Sequence, residues 1–200
     1  MKTVFFDIDT QIDFMFPAGA LYVPGAERLL SIIERLNRYA VDHDIPVVST
    51  TCAHTENDDE FKEWPAHCVV GTTGQLKASA TVAGKTMVVP NAPADVDVTS
   101  AKQIILEKQQ LDLFTNPNMD QLLRQLQADH YLVYGVVTEY CVKCAVMGLL
   151  ATGKPVTLIS DAIETLNRVE SDAMIAEFRK RGGDVRSLKN YSQANGFPVA

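Results

Sequence analysis

Residues 131–144 read YLVYGVVTEYCVKC. The first seven are almost without a polar side chain, and a strand with one wet face would alternate. The run therefore predicts a strand over 131–137 buried on both sides. The polar TEY that follows turns the chain into a helix predicted over 139–152, with Gly153 ending it. A doubly buried strand leading directly into a helix is the building unit of a parallel sheet covered by helices.

Working outward, the unit recurs. Upstream, TVFFDI (3–8) is a strand too apolar to face water. GAERLLSIIERLNRYAVDH (25–43) sets Leu29, Ile32, Ile33 and Leu36 at helical spacing, and IPVVSTT (45–51) follows as a strand. The stretch 52–85 shows no period and holds Pro65 and several glycines. KTMVVP (85–90) and KQIILEK (102–108) read as short strands, the first peripheral, and MDQLLRQLQADH (119–130) as a helix. Downstream come the strand KPVTLIS (154–160), the helix SDAMIAEFRKRG (171–182) with Ser171 as its N-cap, and the last strand DVRSL (184–188). Residues 189–200 are expected to form a tail on the surface or on a partner subunit. The fold class is α/β: a three-layer α/β/α Rossmann-like sandwich with a mostly parallel central sheet. One domain is expected over 1–200, its core spanning about 3–188.

Composition narrows the function. The 200 residues carry a net charge of −7 with no Lys/Arg cluster, so no nucleic-acid partner is expected. No apolar run approaches the ~20 residues that span a bilayer. The opening MKTVFFDIDT turns acidic too early for a secretory signal. With four cysteines, a reducing cytoplasmic setting is expected, so the cysteines are to be read for chemistry rather than as a disulfide framework.

In open parallel sheets, ligands bind beyond the carboxyl ends of the strands. Three polar groups follow predicted strands there: Asp9, Lys108 and Cys141. Cys141 falls in the first turn of its helix, where unpaired N–H groups and the helix dipole favour a thiolate and can hold an oxyanion. Cys144, one turn on among Ala145, Met147 and Leu149, reads as packing. The Cys-x-x-Cys spacing also fits a redox dithiol, and the local pattern leaves both readings standing. An aspartate at the end of a buried strand is costly unless it is paired or working. Its other reading is a turn cap, for which Asp13 qualifies equally. Lys108 taken alone is an ordinary solvated charge.

Together these pieces resemble the isochorismatase-like cysteine hydrolases, and within them the nicotinamidase branch, over about residues 3–188. DTQIDF (9–14) is similar to that family's Asp-x-Gln-x-Asp-Phe opening, with PAGAL (17–21) behind it. GVVTEYCV (135–142) resembles its nucleophile segment, EKQQLDLF (107–114) its lysine block, and WPAHCVVGTTG (64–74) its Trp-Pro-x-His-Cys stretch. The resemblance implies a small-amide hydrolase with Asp9, Lys108 and Cys141 as the catalytic triad and Val137 and Cys141 as the oxyanion hole. A cis peptide before Val137 is implied as well. Phe14, Trp64, Val136 and Tyr140 would line the substrate site, although Phe14 and Trp64 also read as core filling. Nicotinamide is the leading substrate. The alternatives are a metal-free carbamoyl- or ureido-type amidase and a Cys-x-x-Cys thiol oxidoreductase. The family is commonly dimeric or larger, so a homo-oligomer is implied, and no organic cofactor is.

The family also holds a divalent metal through Asp-x-His and a later His. His54 and His67 match, but Cys52 stands where the family has Asp. A thiolate keeps the charge and suits zinc while disfavouring Mg²⁺ and Mn²⁺. The expected ligands are therefore Cys52, His54 and His67, with Glu56, Asp58, Asp59 or Glu60 available to complete the sphere. Cys68 is expected to be buried packing.

Overall fold

Alternation of fully apolar strands with amphipathic helices produces a single sheet in the structure, a computed structural model that describes residues 1–196. The strands are Thr3–Ile8 (β1), Val47–Cys52 (β2), Thr86–Val89 (β3), Gln103–Lys108 (β4), His130–Gly135 (β5), Val156–Ile163 (β6) and Asp184–Arg186 (β7). Their order across the sheet is β3-β4-β2-β1-β5-β6-β7, and every pairing is parallel rather than merely most of them. The helices are Ile12–Met15 (α1), Leu30–Asp42 (α2), Met119–Leu126 (α3), Lys143–Ala151 (α4), Arg168–Lys180 (α5) and Leu188–Asn195 (α6).

Because side chains alternate across a strand, the two faces of the sheet feed two cores. Val4, Phe6 and Ile8 of β1 join Tyr131 and Val133 of β5 beneath α3, α4 and α5, contributed by Leu122, Val146 and Phe178. Phe5 of β1 and Leu132 and Tyr134 of β5 face the other way, onto Ile33 and Leu36 of α2 and Leu188 and Tyr191 of α6. This is the expected three-layer sandwich. β3 sits at the sheet edge, as its weaker pattern suggested, with Val88 54% exposed.

Several boundaries differ from expectation, each for a physical reason. Helix α5 starts at Arg168, not at Ser171, and its N-cap is Asn167, whose side chain accepts from the N–H groups of Val169 and Glu170. Ser171 is buried inside the helix, and an exposed first turn hid the true start, Val169 being 78% exposed. Residues 127–130 do not extend α3. Gln127 turns left-handed at φ 48°, and His130 already belongs to β5. The helix carrying Cys141 begins as a π-helical turn, Thr138–Val142, before α4 proper. β6 runs on to Ile163. The stretch expected as a tail forms helix α6, capped by the Ser187 hydroxyl and ended by left-handed Gly196, with Leu188 and Tyr191 in the core. Residues 197–200 of that predicted tail lie outside the described residues.

The topology locates the ligand region. From β1 the chain builds outward through β2, β3 and β4, then returns past β1 to begin β5, so β1 and β5 straddle the point where the order reverses. Gly135 permits their close approach. Its φ of +117° suits glycine, and a Cβ there would meet the Ile8 carbonyl oxygen at 2.2 Å.

Candidate active site

Four strand ends converge at this reversal. β1 delivers Asp9, β2 Cys52, β4 Lys108 and β5 the segment Val136–Cys141. Register explains the first contacts: Cys52 and Lys108 are direct partners across β2 and β4, and Lys108 Nζ lies 3.1 Å from Cys52 Sγ. The same ammonium is 2.8 Å from Asp9 Oδ2 and 3.4 Å from Cys141 Sγ. Asp9, with φ of +49°, has its carboxylate fixed by the Thr50 hydroxyl, which donates to Oδ1 at 2.6 Å. Asp9 and Lys108 are each 1% exposed. Asp9, Cys52 and Cys141 offer ligand atoms all within 4.8 Å of one another.

One buried cation thus serves three acids, and the electrostatics follow. Burial raises the Asp9 carboxyl above its ordinary range, the Cys52 charge adds to this, and Lys108 opposes it. Burial works against the Lys108 charge, but Asp9, Cys141 and Cys52 outweigh it and hold the amine firmly protonated. Between the thiols, the hydrogen bond from Cys141 pulls Cys52 well down, while that bond and burial push Cys141 up. Between the two sulfurs, negative charge is therefore favoured on Cys52 over Cys141.

Above these groups opens a cavity walled by Phe14, Leu21, Trp64, Leu111, Val136, Tyr140 and Leu166, with Asp9, Cys52, Glu60, His67, Val137 and Cys141 at its polar end. Trp64 and Tyr140 meet edge to face at 5.2 Å, and Phe14 tilts against the His67 ring at 5.3 Å. The Val136–Val137 peptide is cis. The Val137 carbonyl accepts from the N–H groups of Tyr140 and Val142, while its own N–H takes no backbone partner among the described residues.

Cys52 also belongs to a second cluster. Its sulfur and the rings of His54 and His67 present donor atoms within 4.8 Å of one another, all three residues buried. His67 Nδ1 faces the Pro65 carbonyl at 2.8 Å and must donate to it, which leaves Nε2 an open lone pair. Glu60 lies 3.8 Å from that nitrogen. Among the described residues, neither ring nitrogen of His54 makes a hydrogen bond; Asp58 Oδ2 is 3.1 Å from Nδ1, close enough to pair electrostatically but off the bonding direction. Burial opposes charge on His54, yet the Cys52 sulfur and Asp58 outweigh it and raise its pKa. A buried imidazole without hydrogen bonds, beside a thiolate and an open Nε2, is a donor set that fits a divalent metal.

Every sequence-predicted site residue thus falls in this region. Lys108 lies beneath the cavity floor and His54 behind it. Cys68 is fully buried, as expected, and its N–H donates to Asp13 Oδ2 at 2.7 Å. Asp13 accepts from Ala20 as well, so it does cap loops. Cys144 corrects an expectation: it is half-buried and borders an outer acidic groove with Asp112 instead of lying in the core. Sequence reasoning missed Thr50, the cavity walls Leu21, Leu111 and Leu166, and two backbone clamps. Gln11 brackets Cys52, accepting from its N–H at 2.7 Å and donating to its carbonyl at 2.8 Å. Glu139, within the π turn, accepts from the Thr165 hydroxyl and from the N–H groups of Leu166 and Asn167 at 2.6–2.9 Å. An alternating pattern could not have found these, because each is a polar or loop residue whose partner is remote in sequence.

Known proteins share this arrangement of elements. The family profile described as isochorismatase domain matches residues 3–190. The nicotinamidase of Escherichia coli (strain K12) is 25% identical over 219 residues, covering 94% of this chain and 96% of that protein. The nicotinamidase of Saccharomyces cerevisiae is 27% identical over 212 residues, covering 86% and 95%. Among solved structures, the pyrazinamidase of Pyrococcus horikoshii in complex with zinc superposes with a TM-score of 0.78 at 24% identity, covering 94% of this chain and 100% of that one. No helix among the described residues is long and apolar enough to cross a membrane.

Proposed function

The chain belongs to the isochorismatase domain family, and from that premise we propose that it is an amidohydrolase cleaving the C–N bond of a small carboxamide, with nicotinamide the first candidate. The observation that carries this reading is one contact set: Lys108 Nζ against both Asp9 Oδ2 and Cys141 Sγ at the floor of an aromatic-walled cavity. Cys141 Sγ attacks the carboxamide carbon while its proton passes to Asp9. The unpaired N–H of Val137 and that of Cys141 receive the oxyanion. Asp9 then returns the proton to the departing ammonia, and water, deprotonated by the same carboxylate, cleaves the thioester. Lys108 keeps Asp9 oriented and offsets the charge that builds at the sulfur. Two curated relatives named as nicotinamidases, aligned over nearly all of the chain, support the amide class.

Phe14, Trp64 and Tyr140, with Val136, suit a flat ring sandwiched between aromatic and apolar walls. Cys52, His54 and His67 would hold a divalent ion, zinc by the softness of the thiolate, and a bound ion would supply a Lewis-acid contact for a heterocyclic nitrogen. The test is ammonia release from a panel of small amides, with and without chelator, alongside metal analysis of the purified protein. Turnover of nicotinamide or pyrazinamide that falls on chelation is the expected result. Preferred turnover of carbamoyl or ureido amides, indifferent to chelator, would move the substrate class. No ammonia from any amide would remove the hydrolase reading.

A further inference from the structure

We infer that Cys52 and Cys141 constitute an oxidisable thiol pair that closes to a disulfide when a small peroxide enters the cavity. Only one sulfur bonds to the substrate in the proposed hydrolysis, the other being a proposed metal ligand, yet both lie together at the cavity floor. Their sulfurs lie within 4.8 Å of each other and share contact with one ammonium, Lys108 Nζ, at 3.1 and 3.4 Å. Both are buried, at 2% and 5% exposure, yet both line the cavity, which is the route by which an oxidant as small as hydrogen peroxide would reach them. A disulfide spans about 2.05 Å, so the sulfurs need to approach by less than ~3 Å. Gln11 holds both backbone groups of Cys52, which leaves the approach to side-chain rotation and to the π turn bearing Cys141. The Cys-x-x-Cys spacing that suggested a redox motif pointed at the wrong second sulfur: the neighbour of Cys141 across the cavity floor is Cys52.

The chemistry balances with peroxide as the sole oxidant. One thiolate sulfur attacks a peroxide oxygen; the S–O bond forms, the O–O bond breaks, and hydroxide leaves to take up the thiol's proton as water. The second sulfur, now deprotonated, attacks the sulfenic sulfur, the S–S bond forms, and the departing hydroxide takes a proton from solvent to leave as another water. Two thiols give up two electrons and peroxide accepts them. Closure would occupy the proposed nucleophile and a proposed metal ligand in one step. That consequence rests on the hydrolase reading, whereas the cross-link does not.

The experiment is peptide mapping of the metal-free full chain after stepwise hydrogen peroxide, blocking of remaining thiols, and trypsin digestion without reductant. Lys62 separates Cys52 from Cys68 and Lys143 separates Cys141 from Cys144, so each cysteine falls in its own tryptic peptide. The expected product joins residues 39–62 to 125–143, disappears with dithiothreitol, and persists in Cys144→Ala. A link from Cys141 to Cys144, or sulfinic acid on Cys141 with Cys52 still alkylated, would overturn the pair. In Cys52→Ser, overoxidation of Cys141 should rise several-fold at equal peroxide; equal overoxidation with and without the Cys52 thiol would likewise refute it. The map needs no substrate, so a protein that cross-links but releases no ammonia would count against the hydrolase reading alone.

Discussion

Asp7 and Asp9 leave the same strand two residues apart, both buried, each paired with a lysine from elsewhere in the chain. Asp7 Oδ2 meets Lys77 Nζ at 2.9 Å and Asp9 Oδ2 meets Lys108 Nζ at 2.8 Å. What surrounds each pair differs. Asp7 also accepts from the Thr10 hydroxyl, the Asn37 amide and the Ser49 hydroxyl, its register partner on β2. Asn37 is bound in turn by the Tyr134 hydroxyl, so that cluster is closed on every side and sealed beneath α2. Beyond Lys108, Asp9 has one hydroxyl partner, and its remaining neighbours are two cysteine sulfurs facing a cavity. A satisfied network is stiff and inert, whereas a network with weak thiol partners and an open side can exchange protons. The contrast teaches that burial and ion pairing do not by themselves single out an acid that can exchange a proton; the open side toward the cavity is why Asp9, and not Asp7, is the proposed base.

Substitution can break this contrast. The largest effect is expected at Asp9. Asp9→Asn should cut kcat for amide hydrolysis by roughly 10²–10⁴-fold, with thermal unfolding close to that of the parent. Asp7→Asn should do the reverse, lowering Tm while sparing turnover per folded molecule. Equal losses of activity in the two variants would erase the distinction. Next comes Lys77→Met, which strands a buried carboxylate and should cost about 3–5 kcal/mol in urea denaturation. Thr50→Val is smaller. It removes a hydrogen bond donated to the ionised form of Asp9, so the carboxyl should rise further and the acid limb of kcat/KM should move to higher pH. An unmoved or lowered limb would take Asp9 out of the role of base. Cys144→Ala, outside both clusters, should leave ammonia release within about twofold on the scale of ordinary surface substitutions.

Much of this was legible beforehand, for reasons that can be named. β1 and β5 announced themselves because a strand covered on both faces must be apolar throughout, and catalytic candidates at their ends followed from the geometry of parallel sheets. Asp7 was passed over because it sits inside TVFFDI, where a lone polar residue looks like noise, and its partners Asn37, Ser49 and Lys77 are scattered along the chain. Cys52 was noticed as a departure in a metal-ligand position, but its contact with Lys108 depends on the β2–β4 register, which no periodicity reports. Helix α6 is hard to read because its exposed positions are mostly polar and, among the described residues, its large apolar anchors are Leu188 and Tyr191.

Glu139 has one further consequence. Its carboxylate grips the segment beyond β6 by the N–H groups of Leu166 and Asn167, and so fastens the ceiling of the binding chamber to the turn that carries the sulfur. The grip is on the main chain, and the Leu166 side chain, 37% exposed, lines the cavity without taking part in it. Exchanging that one side chain for a larger or smaller one should therefore change the cavity's height while leaving Asp9, Lys108 and Cys141 in place below.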